Sequence, residues 1–401
     1  MLDVGLTEVE VDFIRANLDA DVTKLLLAKT PPGLHAQKMA EQIRARQKAK
    51  TKLPTWYANA QLVFPASLSV EQASSELTAQ YKASLIDSEV VIDLTGGMGV
   101  DTCAFAGAAR RVVYVERDAA LAQTAAHNFE TLKLTNVEVR HGMAFEQTFN
   151  EADAPETTIY LDPHRRGNAN QKLVRMADYE PSVGQHLGVL LQYARRVIVK
   201  VSPLIDLTQA QRDLSGHVVQ IHVVAVDNEV KEVLLLIEPI AKIVLFVAVN
   251  LSTTHPTSVF CFDPAHEKTA SVAFSVPLQY LYEPSAAMLK AGAFKTTAER
   301  FGVFKIGLHS HLYTSQNLVA NFAGRIFEVM AVCRADKKEV QTHLPNGKAH
   351  LTTRNFPMKT EDLKQKLGLK DGGDTYLLAT TLHNGDKRVI VTKKITNPHV
   401  F

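Results

Sequence analysis

Between Val90 and Ile237 short apolar runs alternate with amphipathic stretches. VVID, RVVYVE, NVEVRHG, TTIYLDP and RVIVKVSP read as strands; DAALAQTAAHNFETLK and VGQHLGVLLQYA, lying between them, read as helices. Such alternation builds a mostly parallel sheet covered on both faces. Two last runs, HVVQIHVVAV and KEVLLLIE, are separated only by Asp227, Asn228, Glu229 and Val230. They should close the sheet as an antiparallel hairpin, whereas the six-stranded dinucleotide-binding sheet stays parallel.

Outside that stretch the period changes. From Glu8 to about Lys52 apolar residues recur at three and four spacing, which predicts helices interrupted at Pro31-Pro32-Gly33. VEQASSELTAQYKASLI reads as one further amphipathic helix, begun by Ser69. Past Pro239 the chain turns β-rich (VLFVAVNL, SVFCF, VAFSVP), then YEPSAAMLKAGAFKTTAERFG reads as a helix leading into FKIGLHSHLYTS. GRIFEVMAV, the helix EDLKQKLGL and a hairpin around Asn384-Gly385 complete the chain. The expected organisation is α/β in four parts: a helical region over 1–60, a Rossmann-like sheet domain over 61–240, and small α+β domains over 241–325 and 326–401.

Composition narrows the class. The 401 residues are 46% hydrophobic and 21% charged, the balance of a soluble globular protein, with a formal charge of only +2. Attraction to a polyanion must therefore come from local patches. Cys103, Cys261 and Cys333 are too far apart for a disulfide framework or a zinc knuckle, and His127 and His141 lack a metal-binding spacing. The expectation is a cytoplasmic protein without metal. No membrane association is expected either, because the start lacks a basic-then-apolar leader and IVLFVAVNL is too short to span. One basic stretch, HAQKMAEQIRARQKAK, carries Lys38, Arg44, Arg46, Lys48, Lys50 and, just beyond, Lys52 against Glu41, and leads to Trp56. It suits a nucleic-acid backbone and an unstacked base, or equally a solvated helix face with the tryptophan in a core.

The chemistry concentrates at strand ends. After Asp93 the turn T-G-G-M-G-V-D places Gly96, Gly97 and Gly99 ahead of a helix, where missing Cβ atoms let a ligand approach the backbone. The spacing is not G-x-G-x-x-G, so a dinucleotide is disfavoured. The next strand ends in Glu116, whose carboxylate can accept both hydroxyls of a ribose. This order resembles the S-adenosylmethionine site of class I methyltransferases, whose doubly wound sheet also ends in an antiparallel pair. By that resemblance Asp93 and the Gly96 to Gly99 turn hold the methionine moiety and Glu116 the ribose, with Thr95, Asp101 and Arg117 beside them. Met143 stands where many members carry an acid for the adenine amino group; Met143 could pack on the ring and Ala144 could lie alongside.

The fourth strand ends in LDPHRRG. In amino-methylating enzymes this position reads D-P-P-Y or N-P-P-Y. There the acid and the carbonyl beside the proline accept from an exocyclic amine and steer its lone pair. Asp162 and Pro163 keep that half; His164, Arg165 and Arg166 replace the rest and could stack on a base, clamp its phosphate, or form a surface turn. Lys200, at the end of the fifth strand, faces either the pocket or solvent. Cys103 sits behind the glycine turn and reads as core, not as a nucleophile.

Taken together, KLPTWYAN, LSVEQASSELTAQYK, DLTGGMGVDT, LDPHRR (where the family tends to have D-P-A-R-R), LYEPSAAMLKAG with HLYTS, and NFPMKTEDLKQKLGLKDGGDTYLLATT resemble a bacterial family of class I methyltransferases with C-terminal ferredoxin-like and THUMP-like domains. The resemblance covers nearly the whole chain. It implies an S-adenosylmethionine-dependent enzyme acting on RNA, tRNA or ribosomal RNA first, at an exocyclic base nitrogen. Lys337, Lys338, Lys348, Arg354, Lys359, Lys364, Lys366, Arg388, Lys393 and Lys394 would then form an RNA-facing surface, or they are dispersed solubility charges. Two other readings remain: a methyltransferase of protein or small molecules, and an RNA-binding protein that keeps the fold without turnover. The sequence carries no signal for an oligomeric state.

Overall fold

The computed structural model describes residues 4–28, 31–165, 175–214, 216–240, 243–344 and 346–395, with the side chain of Arg165 excepted. The chain forms two compact units, Met1–Val219 with Val233–Lys242 and Gln220–Glu232 with Ile243–Phe401.

The first unit begins with helices. In α1 (Glu8–Ala16) Thr7 and Glu10 make a reciprocal capping box. Val11 and Ile14 lie on the buried side of α1, and Ile14 packs with Val22 of α2 (Val22–Leu27) and with Met39, Ala40 and Ile43 of α3 (Ala36–Lys52). Ala45 and Ala49, further along α3, join a second cluster with Trp56 of α4 (Pro54–Ala58), Phe64, Val70 of α5 (Ser67–Gln72) and Ala79 of α6 (Glu76–Ala83). Trp56 is only 4% exposed and meets Phe64 edge-on at 6.3 Å, so of its two readings the core one holds.

The basic residues of α3 are mostly committed within the unit. Lys38 pairs with Glu10 at 2.7 Å, Lys48 with Glu71, and Lys50 with Asp19 at 3.3 Å. Lys52 donates to the carbonyls of Val70 and Glu71 at the end of α5. Arg46 is 2% exposed and donates to the carbonyls of Asn59, Ala60 and Leu62.

The single helix expected over Val70 to Ile86 is two. Ser75 starts α6 afresh through a capping box with Thr78, and that break leaves the Ser74 hydroxyl to bond elsewhere. A cap with two local hydrogen bonds outweighs the continuous apolar period.

Strands β1 (Val90–Asp93), β2 (Arg111–Glu116), β3 (Val137–His141) and β4 (Thr157–Leu161) follow, with α7 (Val100–Ala106) after β1 and α8 (Ala119–Thr131) after β2. β5 (His164–Arg165) and β6 (Tyr179–Glu180) form a two-residue antiparallel pair, and α9 (Val183–Tyr193), β7 (Arg196–Val201) and α10 (Leu207–Asp213) come next. β2 lies between β3 and β1, and β4 between β1 and β7, all parallel. Every residue of β1 and β4 is buried, as expected for strands covered on both faces. Residues 233–237 of β9 (Glu229–Ile237) add antiparallel to β7. The mixed class I methyltransferase sheet expected from the sequence is therefore present.

In the second unit β8 (Val218–Val226) reaches β9 through Asp227 and Asn228, both at positive φ (47° and 67°). The hairpin turn is thus two residues, not four. β10 (Leu245–Leu251) runs parallel to β8, and β11 (Ser258–Phe262) antiparallel to β10, followed by α11 (Pro264–Thr269). A seven-stranded sheet is built from β12 (Tyr280–Pro284), β13 (Phe304–Lys305), β14 (Tyr313–Ser315), β15 (Gly324–Cys333), β16 (His350–Arg354), β17 (Thr375–Thr381) and β18 (Lys387–Lys394). Its order is β13-β14-β12-β15-β18-β17-β16. The helix expected from Tyr282 to Gly302 is instead the end of β12 followed by α12 (Ala286–Ala291) and α13 (Lys295–Phe301). α14 (Lys337–Gln341) and α15 (Thr360–Leu367) pack on Leu377, Val389 and Val391 of the sheet.

Candidate active site

The glycine turn between β1 and α7 is built around two aromatic rings. A Cβ on Gly96 would lie 2.1 Å from the Tyr114 ring, and one on Gly99 (φ 88°) would lie 2.7 Å from Phe129. Tyr114 is fully buried on β2 and its hydroxyl donates to the Gly97 carbonyl at 2.6 Å. Gly97 differs: φ is 54°, and a Cβ there would meet nothing closer than the Thr95 carbonyl at 3.8 Å. Gly96 and Gly99 therefore serve packing, while Gly97 faces open space.

Asp93 turns inward. It is 1% exposed, one oxygen accepts from the Thr95 N–H at 3.1 Å and the other from the Thr102 hydroxyl at 2.7 Å. Burial pushes its carboxyl up to about 7, against the Thr102 hydrogen bond and with added repulsion from Asp101. Asp93 thus holds the turn rather than lining its surface. Glu116 is half-buried; one oxygen accepts from the Gly97 N–H at 2.9 Å and the other from the Asp118 N–H at 2.8 Å. Arg117 is exposed, and its carbonyl is 3.1 Å from His141 Nε2. Gly142, next to Met143, donates to the Glu116 carbonyl at 2.9 Å. Met143 is 47% exposed, and Ala144 opens a short 3-10 turn.

Thr95 joins this turn to the fourth strand, its hydroxyl accepting from the Asp162 N–H at 2.6 Å. The half-buried Asp162 carboxylate forms an ion pair with Lys200 of β7. Lys200 therefore turns toward the β4 end. Pro163 is buried and His164 exposed, and β5 places His164 opposite Glu180 and Arg165 opposite Tyr179. The Arg165 side chain and the whole of Arg166 lie outside the described residues. Tyr179 accepts from the Ser202 N–H at 2.8 Å, tying the segment after β4 to the end of β7.

Behind the turn lies a network that sequence reasoning missed. Asp101 accepts from Ser74 at 2.8 Å and from Tyr160 at 2.9 Å, with Lys82 Nζ 3.2 Å from its second oxygen and 2.9 Å from Ser74. Burial alone would raise the Asp101 carboxyl, but Lys82 and Lys200 outweigh it and hold it below the usual range. The only sequence signal was a lysine at an inward position of α6, on the face of Thr78 and Ala79. Cys103 is poorly suited to attack, since burial pushes its thiol up to about 12. Among the described residues no group of three or more His, Cys, Asp or Glu is placed to hold a metal. No described helix is long and apolar enough to cross a membrane.

The sheet and the glycine turn define a class I methyltransferase. Residues 280–322 match a ferredoxin-like domain family and residues 324–394 a THUMP domain-like family. The crystal structure of a candidate methyltransferase from Porphyromonas gingivalis W83 is similar at TM-score 0.87 and 32% identity, over 96% of this chain and 97% of that one. The chain belongs to that family, class I methyltransferases with C-terminal ferredoxin-like and THUMP-like domains. More remote is the Thermus thermophilus 16S rRNA N2 G1207 methyltransferase with AdoMet and guanosine, at TM-score 0.30 and 17% identity over 42% of each chain. A candidate methyltransferase of Streptococcus mutans with SAH has TM-score 0.29 and 14% identity over 41% of this chain and 96% of its own. Both are too dissimilar to transfer a function. No curated protein sequence matches the chain.

Proposed function

We propose that the protein transfers a methyl group from S-adenosylmethionine to an exocyclic base nitrogen of a structured RNA, with tRNA and ribosomal RNA the leading substrates. The observation that carries this reading is the junction at Asp162: Thr95 of the glycine turn accepts from its N–H, and Lys200 pairs with its carboxylate. That junction couples the cofactor turn to the acceptor that a substrate amine needs.

The residues present fit the cofactor. The space beside Gly97 that a Cβ would enter is where the methionine moiety belongs, at a turn stiffened from below by Tyr114 and Asp93. Each Glu116 oxygen already takes one backbone N–H and keeps lone pairs for a ribose hydroxyl. Thr95, Asp101, Arg117, Met143 and Ala144 complete the proposed set, Asp101 acting through the helix start and not by contact. S-adenosylmethionine supplies, when bound, an electrophilic methyl group on a cationic sulfur.

Asp162 and the Pro163 carbonyl accept the hydrogens of the amine, so its lone pair is aimed before transfer. Lys200 fixes the Asp162 carboxylate in one orientation, and the nitrogen's surplus proton leaves to that carboxylate. His164, Arg165 and Arg166 hold the base or its phosphate. In this reading residues 61–240 perform the chemistry, residues 241–325 and 326–401 engage RNA, residues 1–60 brace the sheet domain, and the reaction takes place in the cytoplasm. Tritium transfer to bulk RNA, abolished by ribonuclease and lost in Asp162→Ala with calorimetric cofactor affinity retained, is the expected result. Label that survives ribonuclease would transfer the activity to another substrate class.

A further inference from the structure

Glu283 of β12 is 2% exposed, yet it is shared between two arginines. Its Oε2 accepts from Arg325 Nε at 2.7 Å and also from Arg325 Nη2, while its Oε1 accepts from Arg354 Nε at 3.1 Å and Nη2 at 2.8 Å. Arg325 faces Glu283 across the β12–β15 pair, and Arg354 is the last residue of β16. One guanidinium suffices to satisfy a carboxylate bidentately. Here the carboxylate is divided, so each arginine is gripped along its Nε–Nη2 edge. Its Nη1 has no hydrogen-bond partner among the described residues. The two side chains are 34% and 36% exposed, and two cations against one anion leave a net charge of +1.

His311 stacks on Phe294 at 3.7 Å with its Nδ1 buried and unpartnered, and burial, then Lys305, His309 and Arg354, push its imidazole down to about 4. Two other basic residues of this unit pair with acids close by in sequence, Lys364 with Asp371 and Arg388 with Asp386. Arg325 and Arg354 are instead fixed from behind by a buried carboxylate, with their outer edges free. A planar fork of this kind matches the two unesterified oxygens of a phosphate.

We propose that Arg325 and Arg354, oriented by the buried Glu283, form a clamp for a backbone phosphate of the RNA substrate. The clamp draws Glu283 from the ferredoxin-like match and both arginines from the THUMP-like match, so it exists only where the two domains are joined. It rests on the RNA reading above.

The test is anisotropy of labelled bulk tRNA and ribosomal RNA fragments with the full chain, across a salt series. For Arg325→Gln and Arg354→Gln we expect affinity to fall by about five- to tenfold each and the salt slope to shrink by about one contact each. Cofactor affinity by calorimetry stays unchanged. Glu283→Gln separates a clamp from a simple structural clasp: with the carboxylate that orients both guanidinium groups lost, RNA affinity falls along with the melting temperature, whereas a clasp without a ligand would lower the melting temperature alone. Competition with inorganic phosphate distinguishes a polynucleotide site from one for the free anion. Unchanged RNA affinity and slope in the double arginine variant would overturn the clamp and leave the RNA reading standing. Wild-type protein that binds cofactor but no RNA would overturn both. A site that only inorganic phosphate occupies would overturn the clamp as stated.

Discussion

Lys82 and Asp101 meet inside the first unit with Nζ 3.2 Å from Oδ1, the lysine side chain fully buried and the aspartate's 11% exposed. The pair links α6 to the start of α7, and through Tyr160 to β4, so α6 and the helix that follows the glycine turn share one polar network. Lys82→Met removes the cation and leaves Asp101 buried with its hydroxyl donors alone. Breaking one side of such a pair costs about 3–5 kcal/mol. Chemical denaturation should show a loss of that order for Lys82→Met, and a much smaller loss when Asp101→Leu is added. The wild-type pair also implies acid sensitivity. A depressed carboxylate contributes stability above its unfolded value of about 3.9, lost as pH falls through the folded value.

Asp93 runs the other way. Its carboxyl, raised to about 7 by burial, favours the folded state fully below the unfolded value of about 3.9, and that contribution is lost as pH rises through 7. Asp93→Asn should therefore gain on wild type in stability as pH rises from 5 to 8, by an upper bound of about 4 kcal/mol, read as a growing difference in melting temperature. A melting difference that is flat over this range would mean that Asp93 stays charged in the fold.

The three glycines separate packing from ligand approach. Gly96→Ala drives a methyl into the Tyr114 ring and should cost about 1–3 kcal/mol of stability. Gly97→Ala meets no neighbour and should cost only about 1–2 kcal/mol for its left-handed backbone, while lowering S-adenosylmethionine affinity at least about tenfold. Gly97→Val is expected to abolish cofactor binding, but a β-branched residue at φ 54° adds strain, so alanine is the cleaner probe. Calorimetry beside thermal melts checks both; equal cofactor affinity in wild type and Gly97→Ala would remove this turn from the site.

What the sequence revealed follows from the range of each signal. The β1 to β4 strands, α7, α8 and the glycine turn are specified by local periodicity and turn chemistry, and they stand where expected. The break between α5 and α6 was hidden because Ser75 caps through its own neighbours within an otherwise continuous apolar pattern. The basic face of α3 read as free charge, yet Lys38, Lys50 and Lys52 meet partners 28, 31 and 18 residues away in the chain, as only folding can arrange. Lys200 could not be assigned a direction before folding, because Asp162, with which it pairs, follows another strand. Lys82 was invisible as a site residue for the same reason.

Lys200 offers a direct test of the proposed chemistry. Its ammonium backs the Asp162 carboxylate from β7, and in the proposed reaction it would orient that acceptor. In Lys200→Met the carboxylate is free to rotate, so kcat should fall by about 10- to 100-fold while cofactor affinity changes little. Lys200→Arg keeps the charge and should recover part of the loss, which a purely packing role would not allow. The decisive measurement is single-turnover transfer to RNA at saturating cofactor. An unchanged single-turnover rate in Lys200→Met would show that the acceptor needs no such support.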